Sequence, residues 1–417
     1  MRKKILLKAP VLTRSGYGEQ SRFALRSLRS REDLFDIYIQ PLQWGQTSWL
    51  NIENEERTWI DQTIEKTIAH VHQGGQFDIS LQVTIPNEWE KIAPVNIGFT
   101  AGVETTRVAH QWIEKGNEVD GILVVSTHSK QVYENTGYVA TNNDTGEQKE
   151  VSLQTPIKVT NYPTKKHDNL PEIDLNLDYD FNFLAIAQFG PRKNLPNTIK
   201  WFVEEFKDEE VGLVIKTNIS KNCVMDRMKI FNDLKGFMTK FEDHKCKVYL
   251  LHGDMSDEEI HSIYKHPKIK SMLALPHGEG FGLPIYEAAY SGLPVVATGW
   301  SGQLDFLVDE GGQGHFYDVA FDMQPIQDEV VWDGVLIKDS LWAYPREQSA
   351  KEKMRDCYND IISNKKKSFA LQSHEYAKEI HDRFSSEKMY KNFVDGVLGC
   401  DSANVEGQAE QPILEFE

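Results

Sequence analysis

The chain has 417 residues, more than one ordinary domain holds, so two or three domains are expected. Hydrophobic residues make up 40%, enough for sizeable cores, and a formal net charge of −17 disfavours non-specific nucleic-acid binding without excluding a local basic groove. Cys223, Cys246, Cys357 and Cys400 show neither zinc-ligand nor CxxC spacing, which predicts free thiols in a reducing cytoplasm. The N-terminal Met1-Arg-Lys-Lys-Ile-Leu-Leu stretch is too short in apolar residues for a signal peptide, and no apolar run approaches the roughly 18 residues of a membrane helix.

Short apolar runs alternate with amphipathic segments. Strands are predicted at 4–8, 35–39, 79–83, 95–99 and 121–125, with helices at 19–28, 55–72, 109–115 and 129–136 between them. Residues 142–151 are polar and turn-rich and read as a break; 156–160 reads as one more strand and 161–177, with Pro163 and Pro171, as a linker. The alternation restarts with strands at 181–187, 212–216, 247–252, 269–275 and 294–297. Helices are expected at 195–206, 226–241, 257–264, 284–290 and 350–363. This pattern predicts two doubly wound α/β domains, over 1–165 and 172–385. A last helix at 386–400 is free to pack back on the first domain, and an acidic tail follows from 401 in which Ile413, Leu414 and Phe416 could dock. Open α/β sheets bind ligands at the carboxyl ends of their strands, so the chemistry is expected on strand-to-helix loops, in a cleft that the two domains face.

The densest motif lies on such a loop. A strand ending at Leu275 is followed by Gly278, Gly280 and Gly282, and Pro284 fits the first helical position. Free loop amides and a helix N-terminus suit a diphosphate, and Glu279 in the loop with Glu287 one turn into the helix can accept hydrogen bonds from sugar and ribose hydroxyls. The same residues would also serve as a glycine-rich connector with a capping glutamate. A second loop, Gln188-Phe-Gly-Pro-Arg-Lys-Asn194, offers Arg192 and Lys193 to neutralise a leaving diphosphate, or as a solvated basic pair. Lys216 and Thr217 end the next strand and could touch the nucleotide. In the first domain Gly16 and Gly18 would let backbone approach a ligand closely. Asp178-Tyr-Asp180 is set aside as a metal motif because it precedes a strand, and the histidines show no metal-ligand spacing.

Glu279-x7-Glu287, continued by Ala288-x-x-x-Gly-Leu-Pro-Val-Val-Ala-Thr298 and Gly299-Trp-Ser-Gly-Gln-Leu-Asp-Phe-Leu307, resembles the signature of group 1 (family-4-type) retaining glycosyltransferases. The resemblance implies a GT-B fold of two Rossmann-like domains across a cleft. It also implies a nucleoside-diphosphate sugar, expected to be UDP-linked, as co-substrate, with neither metal nor other cofactor. It implies catalytic roles for Glu279, Lys193 and Arg192, the last standing in for an arginine that many relatives carry where Gln188 stands. Donor-binding roles follow for Gly16, Gly18, Lys216, Thr217, Gly280, Phe281, Gly282, Leu283 and Glu287. The stretch 96–107 resembles a subset with a Glu-Thr pair, which puts Glu104 in the catalytic set and Thr105 and Arg107 on the acceptor side; a structural Glu104–Arg107 pair is the competing expectation.

The wording of the first domain, including Ile85-Pro-Asn-Glu-Trp-Glu-Lys-Ile-Ala93, resembles glycosyltransferases of large tailed bacteriophages. That implies 5-hydroxymethylcytosine or a related modified DNA base as acceptor, in a host cytoplasm. Arg14, Arg22, Arg107, Lys165, Lys166 and His167 are the basic residues available for DNA, and Trp44, Trp49 and Trp89 the aromatics that could stack on a base or pack in a core. The alternatives are a glycan, lipid-linked or small-molecule acceptor, or a non-catalytic sugar-nucleotide-binding relative. No basic amphipathic helix points to a membrane.

Overall fold

A computed structural model describes residues 2–141, 146–241, 243–364 and 368–407. These fall into two compact units: residues 2–163, 331–340 and 386–407 form the first, Thr164–Val330 and Leu341–Ser385 the second.

The first unit runs β1 (Lys3–Ala9), α1 (Gly16–Arg29), β2 (Phe35–Pro41), α2 (Glu55–His72), β3 (Ile79–Val83), β4 (Val95–Thr100), α3 (His110–Gly116), β5 (Gly121–Val124), α4 (Thr127–Asn135), the hairpin β6 (Gly137–Thr141) and β7 (Gln148–Ser152), and β8 (Ile157–Val159). Its main sheet is six-stranded, in the order β2-β1-β3-β4-β5-β8. Every pairing in it is parallel. β3 and β4 are buried throughout and β1 at its centre, as a sheet covered on both faces requires. Helix α2 starts where Asn54 accepts the Arg57 amide at 2.8 Å. β6 and β7 pair as a hairpin across the stretch expected to be a break, β6 just ahead of it and β7 largely inside it; residues 142–145 are outside the described residues.

The second unit runs β9 (Asn182–Ile186), α5 (Leu195–Phe206), β10 (Gly212–Lys216), α6 (Val224–Met238), β11 (Lys247–Leu251), α7 (Asp257–Lys265), β12 (Ile269–Ala274), α8 (Leu283–Tyr290), β13 (Val295–Thr298), α9 (Leu304–Leu307), β14 (Tyr317–Val319), β15 (Phe321–Pro325), β16 (Leu341–Pro345), α10 (Glu347–Ile362) and α11 (Phe369–Arg383). Its six-stranded sheet has the order β11-β10-β9-β12-β13-β14 and is parallel throughout. One buried cluster, including Phe183, Phe202, Phe206, Leu213 and Met354, ties α5 and α10 to one face. The order reverses between β9 and β12: from β9 the chain winds towards β10, from β12 towards β13. That is the position at which open sheets bind ligands.

Two features differ from the sequence expectation. Residues 331–340, inside the stretch assigned to the second domain, belong to the first unit, where Asn87 Nδ2 donates to Gly334 O at 3.0 Å. The final helix, α12 (Ser386–Gly407), runs past residue 401, where a tail was expected. It packs on α1 and the first sheet: Phe393, Val394 and Val397 are buried, and Asn392 Nδ2 donates to Val159 O at 3.0 Å. Ile413, Leu414 and Phe416 lie outside the described residues.

Candidate active site

The site is built at the reversal point of the second sheet, from the loops that leave β9 and β12. After β9 the chain makes a 3₁₀ turn at Pro191–Lys193, and Asn194, with φ 54°, redirects it into α5. Asparagine tolerates this left-handed conformation better than most residues. The loop is sewn to the β12 loop by three bonds. His277 N donates to Arg192 O at 2.8 Å, Asn194 Nδ2 to Leu275 O at 3.1 Å, and Arg192 Nη1 to Gly278 O at 2.6 Å.

The two loops converge on Glu279. Lys193 Nζ lies 2.5 Å from its Oε1 and Arg192 Nη1 3.0 Å from its Oε2. Burial alone would raise the Glu279 carboxyl, but Lys193 first, then Arg192, outweigh it and hold the group below the usual carboxylate range. Glu279 is therefore ionised at neutral pH and accepts hydrogen bonds only. The three side chains carry one net positive charge, suited to a group more negative than the cluster is positive.

The β12 loop is locked from behind. Ser301 Oγ accepts the Glu279 amide at 2.9 Å and itself donates to Gln303 Oε1 at 2.9 Å. Gln303 Nε2 reaches Thr298 O at 2.9 Å, and Thr298 Oγ1 reaches Pro276 O at 3.0 Å. Gly302 N donates to Glu279 O at 3.0 Å. A Cβ on Gly302 would meet Gly280 O at 2.1 Å, so only glycine lets the two segments touch. Ser301 holds φ 76°, a left-handed conformation costly for serine. Sequence reasoning missed Ser301, Gly302, Gln303 and Thr298 as site residues; the one available signal was that 299–307 extends the motif.

Gly282, at φ 92°, precedes α8, which begins at Leu283. Pro284 is thus the second helical residue, not the first. Its missing N–H leaves the Leu283 and Ile285 amides as the donors of the first turn. Phe281 is an expected donor-binding residue whose side chain turns away: it is buried against Tyr286 and Phe306, so only its backbone can serve a ligand. Glu287 receives a hydrogen bond from Tyr264 Oη at 3.1 Å. Lys216 Nζ donates to Gly253 O at 3.0 Å, and Thr217 is buried beside it in the chain. Gln188 Nε2 donates to Ile219 O at 2.6 Å, so its amide holds the neighbouring loop and only Arg192 reaches the cluster. That loop is fixed again by Asp226, which accepts the amides of Ile219, Ser220 and Lys221 and lies 3.0 Å from His252 Nε2.

In the first unit, α1 is capped by Ser15, whose Oγ accepts the Gly18 amide at 2.9 Å. A Cβ on Gly18 would meet Thr13 O at 2.1 Å, so only glycine lets α1 lie this close to the preceding turn. Gly16 faces open space. Tyr17 stacks on Trp44 at 4.1 Å and shares a 2.7 Å hydrogen bond with Thr100 Oγ1. Burial, reinforced by the field of Glu104, pushes its phenol up to about 12. Glu104 is thereby placed near Tyr17.

Thr105 spends its hydroxyl on Arg107 O at 2.8 Å. Arg107 pairs with Asp339, donates to Gly137 O at 2.9 Å and covers the Tyr138 ring. Both side chains are engaged within the first unit, and the ion pair that Arg107 makes is with Asp339 rather than with Glu104. Arg22 is buried on Val11 O and Thr13 O, and Trp89 fills the core against Gly98. Asp178 pairs with Lys247 at 2.9 Å. Among the described residues no group of three or more His, Cys, Asp or Glu is placed to hold a metal, and no helix is long and apolar enough to cross a membrane.

Residues 174–331 match the family model described as glycosyl transferases group 1. No curated protein matches the sequence significantly. In fold the chain is similar to a glycosyltransferase from Rickettsia africae ESF-5, with TM-score 0.60 and 13% identity over 96% of this chain and 98% of that one. Sucrose-phosphate synthase from Thermosynechococcus elongatus gives 0.61 and 12% over 96% and 100%. The E. coli trehalose-6-phosphate structure bound with UDP-2-fluoro glucose gives 0.55 and 10% over 94% and 98%. At such identities the likeness establishes the fold, which is GT-B. Residues 174–331 are therefore similar to the group 1 glycosyl transferases, in a chain whose fold is GT-B.

Proposed function

We propose that the protein transfers a sugar, with retention, from a UDP-linked donor to an acceptor hydroxyl, and that the Glu279–Lys193–Arg192 cluster is its donor site. The single observation that carries this is the convergence of two cations on one buried carboxylate, where the second sheet reverses its strand order. Lys193 and Arg192, with the Leu283 and Ile285 amides, would neutralise the charge that develops on the departing diphosphate. Glu279 would hold the sugar hydroxyls and Glu287 the ribose. The acceptor oxygen would attack the face that the diphosphate leaves, and no residue is assigned as a covalent nucleophile. The uridine assignment draws support from the E. coli neighbour, which binds UDP-2-fluoro glucose.

The acceptor we infer is a hydroxymethylated pyrimidine in DNA. Two things support it: the resemblance of 85–93 to phage enzymes, and the stacked Tyr17–Trp44 pair at the start of α1, an aromatic surface on which a base could rest. Catalytic importance of Glu104 rests on its place near Tyr17. The test is a donor screen on hydroxymethylcytosine DNA and unmodified DNA, read by mass spectrometry. A mass gain on the modified DNA alone is expected. No gain with any donor, alongside transfer to a glycan or small molecule, would reject the DNA acceptor and leave the donor site standing.

A further inference from the structure

The second unit holds a basic pocket that the donor site does not use. It has a volume of about 210 Å³ and is lined by Lys165, Lys166 and His167, by His261 and Lys265 of α7, by Tyr290 at the end of α8, and by His381 of α11. The donor loops meet the opposite end of α8, about 12 Å away along an eight-residue helix. This volume falls below the roughly 300 Å³ where pockets for drug-sized ligands begin, and suits one small polar group with water.

The polar inventory of the pocket is incomplete on the acceptor side. His261 is satisfied, its ring nitrogens facing Asp257 O at 2.8 Å and Tyr290 Oη at 2.7 Å. Burial, with the field of Lys165 and the neighbouring His167 adding to it, pushes His261 down to about 4. The ring of His167 lies against it at 4.0 Å, and His167 Nε2 is buried with no hydrogen-bond partner. His381 Nδ1 is buried and unpartnered in the same pocket. Buried polar atoms of this kind are rare and signal a water, an ion or a ligand. The acidic groups nearby are turned to other work: Asp257 pairs with Lys165 at 2.8 Å, and Glu258 sits 3.8 Å from the far nitrogen of His167. Lys265 Nζ lies on Ser291 O, and Lys166 is exposed at the rim.

We propose that this pocket binds a phosphoryl group, either inorganic phosphate or a phosphate monoester, with Lys166, Lys265 and the Nε2–H of His167 as its donors. Two or three cations with buried N–H donors and no carboxylate facing inward fit a dianion better than a sugar or a metal ion. The site is separate from the diphosphate contacts of the donor cluster, so the two can be emptied independently.

The test is calorimetric titration of inorganic phosphate into the full chain carrying Lys193→Ala, which removes the competing donor-site contact. Saturable binding is expected. Lys166→Glu, an exposed change that leaves the fold intact, should weaken it about tenfold or more. His167→Phe keeps a ring against His261 but removes the donor, and should weaken it likewise. Glucose phosphate should compete. Absence of saturable binding, or binding indifferent to both variants, overturns the proposal. So does stronger competition from duplex DNA than from glucose phosphate, which would assign the site to a phosphodiester backbone.

Discussion

Replacing Glu279 by Gln separates the two things the donor cluster is asked to do. The change keeps the side-chain shape and removes one negative charge from between Lys193 and Arg192, at 2.5 and 3.0 Å. Those cations are 18% and 23% exposed, so water screens part of the loss, and the unliganded protein should lose only about 1–3 kcal/mol of stability. For a phosphate charge placed roughly 6 Å from the carboxylate, removing that repulsion is worth about 0.7 kcal/mol in a water-like dielectric. UDP alone should therefore bind about threefold more tightly. Transfer should behave oppositely. Two charge-assisted bonds to sugar hydroxyls, at about 1.5–3 kcal/mol each, imply a fall in kcat/KM of about 10²-fold or more. Calorimetry with UDP, together with turnover of the UDP-sugar, reads both numbers from one preparation. If UDP affinity falls in step with turnover, Glu279 is a structural strut of the loop and the assignment of the sugar contact is wrong.

Gly302→Ala drives a Cβ towards Gly280 O and should cost about 1–3 kcal/mol along with activity, whereas Gly16→Ala, with open space around its Cβ, should leave the melting temperature unchanged; thermal melts of the pair make the comparison. Asp226 gives a pH-dependent prediction. Burial opposes its ionisation, but the amides of Ser220 and Ile219, His252 and the Lys221 amide together bring its carboxyl from 3.8 to about 2. Its folded value lies below the unfolded one, so a contribution of about 2 kcal/mol is complete above pH of about 4 and is lost as the pH falls towards 2. Asp226→Asn should remove that contribution at neutral pH and flatten the acid limb, as followed by urea midpoints against pH.

The reach of the sequence is uneven, for identifiable reasons. Helices α2 and α5 have the bounds expected at 55–72 and 195–206, because each has a capping or turn residue in front, and α5 also buries an apolar stripe. The β6–β7 hairpin was hidden because its strands are exposed on both faces and show no alternation. The excursion of 331–340 into the first unit rests on contacts such as Asn87 with Gly334, which no local pattern announces. In the site, Glu279, Lys193 and Arg192 were each legible as charged residues on strand-to-helix loops. Their meeting was not, because it depends on β9 and β12 being neighbours in the sheet, a fact of topology. Ser301 was invisible for another reason: its role comes from a backbone conformation that serine seldom adopts.

The position of α12 has a consequence for biosynthesis. The hydrophobic face of the first unit is closed by Phe393, Val394 and Val397, and Phe393 packs edge-on against Phe23 and Phe99, which lie 370 and 294 residues earlier in the chain. The first unit therefore begins translation first and completes its core last. The whole second unit has left the ribosome before its neighbour is sealed, and until then the apolar surface around Phe23 and Phe99 stays a target for chaperones and proteases.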